Sequence, residues 1–257
     1  TRAKKSLRGT GDLIRGLAPV TKAGVLGAMG PGAMGKAANS IYRWDFLPSG
    51  LLGIAAARDP HHTAIIDDGG SMTYAEFHDN ANRLARALRH GDIRPRDRIG
   101  LLCRNHRGFL LALCAHGRLG TDLVLLNTGA SAEQTLSVIR EQKLDFLFID
   151  EEFTHMLPDD FDQCPVAVSW LEDYQDTSSV REGWTSMREM LRTAPPEAWP
   201  TADLPKRPRR GRVIVLTSGT TGTPKGARRP EPKSWMPASS IMSRIPLRHN
   251  RPAFLAA

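Results

Sequence analysis

The stretch RIGLLCRNHRGFLLALCAHGRLGTDLVLLN, residues 98–127, decides the architecture. Arg98 to Cys103 reads as a strand, Gly108 to Gly120 as a helix, and Asp122 to Asn127 as a second strand. The second strand is apolar almost throughout, the pattern of a strand covered on both faces in a parallel sheet. Downstream, Ser131 caps a helix that runs to Lys143, Leu144 to Asp150 is another apolar strand, and Val166 to Trp170 is a fourth. Strands that alternate with helices in this way predict an α/β fold: a mixed, mainly parallel sheet with helices on both faces.

The flanks agree with that reading. FLPSGLLGIAAARDP, residues 46–60, reads as a helix ended by Pro60. Thr63 to Asp67 reads as a strand, with Asp68-Gly69-Gly70 as the turn of a hairpin. Thr73 followed by Glu76 matches a capping box, in which hydroxyl and carboxylate each satisfy a free backbone donor. Phe77, Ala81, Leu84, Ala85 and Leu88 then fall on one helical face, and Gly91 stops the helix. From Asp173 to Arg212 the chain is polar and rich in proline, which predicts peripheral helix and loop before the sheet resumes at Val213.

Composition narrows the class. The 257 residues are 40% hydrophobic, enough for one large α/β domain or two modest ones. Cys103, Cys114 and Cys164 form no paired spacing, which predicts reduced thiols in a cytoplasmic protein and no metal site. The basic start has no clean apolar block behind it. The longest uncharged stretch there, Ala23 to Gly35, is too short and glycine-rich to span a bilayer. Residues 1–43 therefore read as a basic, glycine-rich lead-in, loosely structured or helical, whose mixed character allows weak contact with a membrane surface. Residues 44–257 read as one partial domain. The net charge is +8, densest in KRPRRGR, residues 206–212. That run reads first as a solvated linker and second as an attractor of phosphates. No aromatics interleave with it, so nucleic acid is not an expected partner.

Chemistry concentrates where the sheet resumes. VIVLTSGTTGTPKGARR, residues 213–229, passes from a β-branched strand into Thr217, Ser218, Gly219, Thr220, Thr221, Gly222, Thr223, Pro224, Lys225 and Gly226. Glycines let backbone N–H groups approach an anion closely, hydroxyls add donors, and one lysine supplies a compact charge. Such a loop suits a polyphosphate. Lys225 is the candidate catalytic residue, because fixed charge placed where charge develops lowers a barrier. The order of residues differs from the common G-x-x-x-x-G-K-[ST] loop. GPGAMGKA, Gly30 to Ala37, mimics that loop except that Ala37 replaces the hydroxyl, and it reads as a chance match.

LTSGTTGTPKG resembles the phosphate-binding signature of the adenylate-forming superfamily. MTYAEFHDNANRLARAL and GRLGTDLVLLNTGASAEQ resemble that family's weaker motifs in the same order. LLCRNHRGFLLA and Asn127 to Gly129 resemble the fatty acyl-CoA synthetase branch, and the likeness covers roughly residues 44–230. It implies the N-terminal part of the large domain of such an enzyme. It also implies ATP, Mg2+ and CoA as cofactors, a carboxylic and specifically fatty acid as substrate, and an acyl-adenylate and then an acyl-CoA as products. The resemblance places Thr217, Ser218, Gly219, Thr220, Thr221, Gly222, Thr223, Lys225 and Gly226 on the nucleotide phosphates. The family's later motifs are not found here, and His249 reads as an exposed basic residue. Thr1 and the strand-like ending RPAFLAA are expected of a piece of a longer chain. The isolated chain is therefore expected to be inactive, and the rival reading is a non-catalytic polyphosphate- or partner-binding module. Chain length of the acid and oligomeric state are not legible.

Overall fold

Strand by strand, alternate side chains of the central sheet enter two different apolar cores. The computed structural model describes residues 29–45, 47–171, 180–195, 204–217 and 225–228. It opens with helices α1 (Pro31–Trp44) and α2 (Pro48–Arg58), the hairpin β1 (Thr63–Asp67) and β2 (Gly70–Thr73), and helix α3 (Tyr74–His90). The α/β alternation follows: β3 (Arg98–Leu102), α4 (Arg107–Leu119), β4 (Asp122–Leu125), α5 (Ala132–Gln142), β5 (Phe146–Asp150), a 3-10 turn (Glu151–Met156) and β6 (Val166–Trp170). A short strand β7 (Thr185–Ser186), helix α6 (Met187–Thr193), β8 (Val213–Thr217) and β9 (Lys225–Arg228) complete the described elements.

The seven strands of the main sheet stand in the order β7-β6-β5-β3-β4-β8-β9, parallel except for β9. Successive strand residues point to opposite faces. Ile99, Leu101, Leu123, Phe146, Phe148 and Ala167 join one core with α3, α4 and α6. Leu102, Val124, Leu147, Ile149, Val166 and Ile214 join the other with α5 and the 3-10 turn. Both faces bury apolar surface, which is why these strands read as unbroken apolar runs.

The helix signals act as their residue types dictate. Thr73 accepts the Glu76 N–H at 3.2 Å while Glu76 accepts the Thr73 N–H at 2.7 Å, and Gly91 caps the far end of α3. Ser131 and Gln134 form a second such box on α5. Gly120 closes α4 with φ +76°, the left-handed region that glycine enters without strain.

Three departures from the sequence reading have physical causes. Order begins before Trp44: Pro31 starts α1, whose last residue is Trp44, so the boundary drawn at residue 43 falls inside a helix that packs on α2. Gly30 to Ala37 is the start of that helix, in keeping with its reading as a chance match to the phosphate loop. The polar segment after Asp173 contributes β7 to the sheet edge as well as a helix. The basic run is not a solvated linker. Arg209 donates to Asp122 at 2.6 Å, Arg212 donates to the same carboxylate through its backbone N–H (3.0 Å), Nε (2.9 Å) and Nη2, Arg210 pairs with Asp45, and Arg207 lies 5.2 Å over the Tyr42 ring. Gly211 is required in this strap, because a Cβ there would overlap the Thr121 carbonyl oxygen. Among the described residues no helix is long and apolar enough to cross a membrane.

Asp122 is 1% exposed at its side chain. Burial alone would raise its pKa, but the hydrogen bonds from Arg212 and Arg209 outweigh burial and hold it below the ordinary carboxylate range. Asp122→Ala is expected to destabilise the fold by about 2–3 kcal/mol, less than for a fully buried pair because both arginines keep some water. A carboxyl with a lowered folded pKa contributes fully above its unfolded value of about 4, and the contribution fades as pH falls through the folded value. Urea titrations of wild type and Asp122→Ala should therefore differ fully at pH 7, begin to converge as pH falls below about 4, and meet only below the folded value.

Candidate functional site

A parallel sheet presents the carboxyl ends of its strands, and the loops that follow them, at one edge, which is where α/β folds place ligands. Here that edge gathers the residues after β3 (Cys103 to His106), after β4 (Asn127 to Gly129), after β5 (Asp150 to Glu152) and at the end of β6 (Ser169, Trp170). The candidate phosphate stretch reaches the same edge. Leu125 of β4 is level with Val215 of β8, so β8 ends at Thr217 on that side. β9 runs back antiparallel, and Thr217 and Lys225 are direct partners across the ladder, as are Leu216 and Gly226.

Thr217, Lys225 and Gly226, expected in a loop, are thus strand residues. Lys225-Gly226-Ala227-Arg228 carries no β-rich pattern, and its extended form comes from the ladder with β8. Ser218, Gly219, Thr220, Thr221, Gly222, Thr223 and Pro224 lie outside the described residues, as do Arg229, the prolines that follow it and His249.

A polar cluster unforeseen in the sequence occupies the neighbouring strand ends, with Asp150 at its hub. Asp150 Oδ1 accepts from Ser169 Oγ at 2.5 Å, Oδ2 accepts the Arg104 N–H at 2.7 Å, and both oxygens lie 2.9–3.0 Å from His106 Nε2. His106 Nδ1 accepts the Gly108 N–H at 3.0 Å, capping α4, so the hydrogen-bond pattern assigns the ring proton to Nε2, facing Asp150. Cys103 Sγ lies 2.8 Å from Ser169 Oγ, and the Trp170 ring stacks on His106 with centroids 4.8 Å apart. Arg104 forks onto Glu152 at 2.5 and 2.8 Å. Asp67 receives Arg107 through N and Nε at 2.9 Å, which ties the β1–β2 hairpin to the start of α4.

Cys103, His106 and Asp150 offer donor atoms within 4.8 Å of one another, the spacing of a metal centre. Their chemistry does not match one. Nδ1 is already an acceptor, so metal at Nε2 would require an imidazolate. Burial first, and then the Asp150 charge, push the Cys103 thiol well above its usual range, which leaves a protonated sulfur and not a ligand thiolate. The cluster closes its own hydrogen bonds. The signal for it in the sequence was only positional: His106 stands where a helix N-cap is needed, and Asp150 where a strand ends.

The chain belongs to the AMP-binding enzyme family, whose model matches residues 53–230. Curated relatives include the fatty acid–[acyl-carrier-protein] ligase ScoC of Streptomyces coeruleorubidus, 27% identical over 66% of this chain and 30% of its own length. A feruloyl-CoA synthase of an Amycolatopsis species is 30% identical over 67% of this chain and 31% of its own. Among solved structures, the anthranilate CoA ligase AuaEII in complex with anthranoyl-AMP superposes with a TM-score of 0.60 at 19% identity, covering 74% of this chain and 36% of that one. The Mycobacterium tuberculosis fatty acyl CoA synthetase superposes at 0.54 with 22% identity, covering 71% and 34%. This chain spans about a third of the length of the relatives it matches.

The thiols provide a direct check on burial. Burial raises Cys114 to about 11, partly offset by Arg118, and burial with Asp145 raises Cys164 to about 12. At pH 8 a disulfide thiol reagent is expected to titrate none of the three cysteines in the folded protein within minutes and all three in urea. Rapid reaction of Cys103 in the folded state would overturn the closed network described here.

Proposed function

We propose that this chain forms the phosphate-gripping part of an ATP-dependent ligase. The longer enzyme activates a fatty acid to its acyl-adenylate and then transfers the acyl group to CoA. The observation that carries the reading is the pairing of Thr217 with Lys225 at the carboxyl edge of the sheet. It brings the two ends of a Gly-Ser-Thr segment together where nucleotides bind in α/β folds. In this reading the backbone and hydroxyls of Thr217 to Thr223 hold the β- and γ-phosphates. Lys225 holds its charge beside them, and Gly226 leaves the backbone open to approach.

ATP with magnesium supplies an α-phosphate open to attack by a carboxylate. The donor set fits the phosphates. At this edge, among the described residues, Asp150 and Glu152 are taken by His106, Ser169 and Arg104. Mg2+ is accordingly assigned to the nucleotide and not to a protein cage. None of the residues named here is assigned to choosing between the fatty and aromatic acids that the relatives' names give, or to holding CoA. Free cysteines, two of the three buried, suit a cytoplasmic setting.

Because the chain spans about a third of its relatives, binding and turnover are expected to separate. Calorimetry should show ATP and pyrophosphate binding to the 257-residue chain, weakened about tenfold or more in Lys225→Ala. Incubation with a fatty acid, ATP and CoA should give no acyl-CoA. Failure to bind either ligand at millimolar concentration would sink the assignment. Turnover at an ordinary rate, about 1 s⁻¹ or faster, would show that this piece is sufficient.

A further inference from the structure

A second polar cleft, of about 480 Å3, lies among α1, α2 and α3, which carry none of the residues from 217 to 226. Its charged lining is entirely basic: Lys36, Arg43 and Arg86, with Trp44, His78 and Asn82 between them. No carboxylate lines it among the described residues. Behind Trp44 sits Arg118, fully buried, which is rare for a side chain that stays charged. Arg118 donates to the His78 carbonyl at 2.9 Å, to Asn82 Oδ1, and to His78 Nδ1 at 3.2 Å, all neutral acceptors. Its guanidinium lies 4.8 Å from the Trp44 ring centroid, and that of Arg43 lies 4.7 Å from the same centroid.

Arg86 Nε donates to the Pro195 carbonyl at 3.0 Å, but other donors of the cleft have no acceptor among the described residues. Trp44 is 5% exposed, yet its Nε1 has no acceptor among the described residues, and neither has the Nε of Arg43 or of Arg118. Burial, and then repulsion by Arg118 and Arg43, hold His78 at about 4, so at neutral pH it adds no charge and can accept from Arg118. Asp79 acts on Arg118 only weakly and does not line the cleft. Gathering cations away from water without a counter-charge is costly, and buried donors without acceptors add to that cost. A group that neutralises the cleft must be an acceptor only, carry more than one negative charge and match forked donors. A phosphate does all three.

We propose that this cleft binds a phosphate monoester, with its oxygens taken by Lys36, Arg43, Arg86 and the Trp44 indole N–H. Small side chains make up most of the remaining wall and leave room for the esterified portion. Both a soluble metabolite and a lipid headgroup can present that group.

The test follows the indole N–H signals of the full 257-residue chain by 1H–15N correlation spectroscopy, with the Trp44 peak identified by its loss in Trp44→Phe. Titration with glycerol 3-phosphate is expected to move the Trp44 peak saturably at about millimolar ligand. Lys36→Ala, at an exposed position that leaves the fold intact, should weaken binding several-fold, and Arg43→Ala about tenfold or more. Lys225→Ala should leave the response unchanged, which separates this cleft from the nucleotide stretch. Co-sedimentation with phosphatidylcholine vesicles containing phosphatidic acid, reduced by Lys36→Ala, would assign the phosphate to a headgroup. A response to the soluble ester without sedimentation would assign it to a metabolite. A static Trp44 peak together with no vesicle binding overturns the proposal, as does a shift abolished by Lys225→Ala and untouched by Lys36→Ala.

Discussion

The carboxylate of Asp122 joins two parts of the chain that are far apart in sequence. It lies at the first residue of β4, is buried, and accepts from Arg209 and Arg212, which are 87 and 90 residues further on. Arg212 immediately precedes β8, and its carbonyl accepts the Leu123 N–H at 2.8 Å, so the ion pair and the first hydrogen bond between the strands form together. The start of β8 is thereby set beside β4. From that register the end of β8, at Thr217, arrives at the carboxyl edge of the sheet, with Lys225 opposite it.

That constraint explains why a strongly basic run sits before the candidate loop without serving the phosphates itself. A guanidinium paired to a buried carboxylate is spent on position. Arg210 on Asp45 and Arg207 over Tyr42 extend the same strap to the end of α1. The excess positive charge of the chain is therefore not evenly available. At the strap Asp122 and Asp45 pair with three of the arginines, whereas among the described residues no carboxylate lines the cleft of α1, α2 and α3.

At the carboxyl edge the division is between closed and open chemistry. Around Asp150 every strong acceptor and donor meets another side chain or backbone group, and the Cys103 thiol is kept protonated, so the cluster holds β3, β5 and β6 in register without leaving a reactive group. The segment between Thr217 and Lys225 has the opposite composition, rich in donors and poor in packing groups. Rigid support beside a donor-rich connection is the arrangement by which α/β folds commonly present a phosphate site.

Features governed by neighbours along the chain were legible in the sequence. The capping box at Thr73, the cap at Ser131, the stop at Gly91, and the apolar runs of β3 to β6 and β8 all depend on residues a few positions apart. The family likeness rested chiefly on one contiguous stretch, with weaker motifs before it, for the same reason, and the strand-end position of that stretch was visible from the β-branched residues before it. What only the tertiary structure decided depends on distant partners. β9 has no strand pattern and exists through its ladder with β8. The basic run is solvated or pinned according to whether a buried aspartate meets it. α1 draws order from packing on α2, and the cations around Trp44 become a cleft only when three helices close on them. Periodicity records which side of an element is buried, but it carries no information about which charged group, across the fold, will be waiting there.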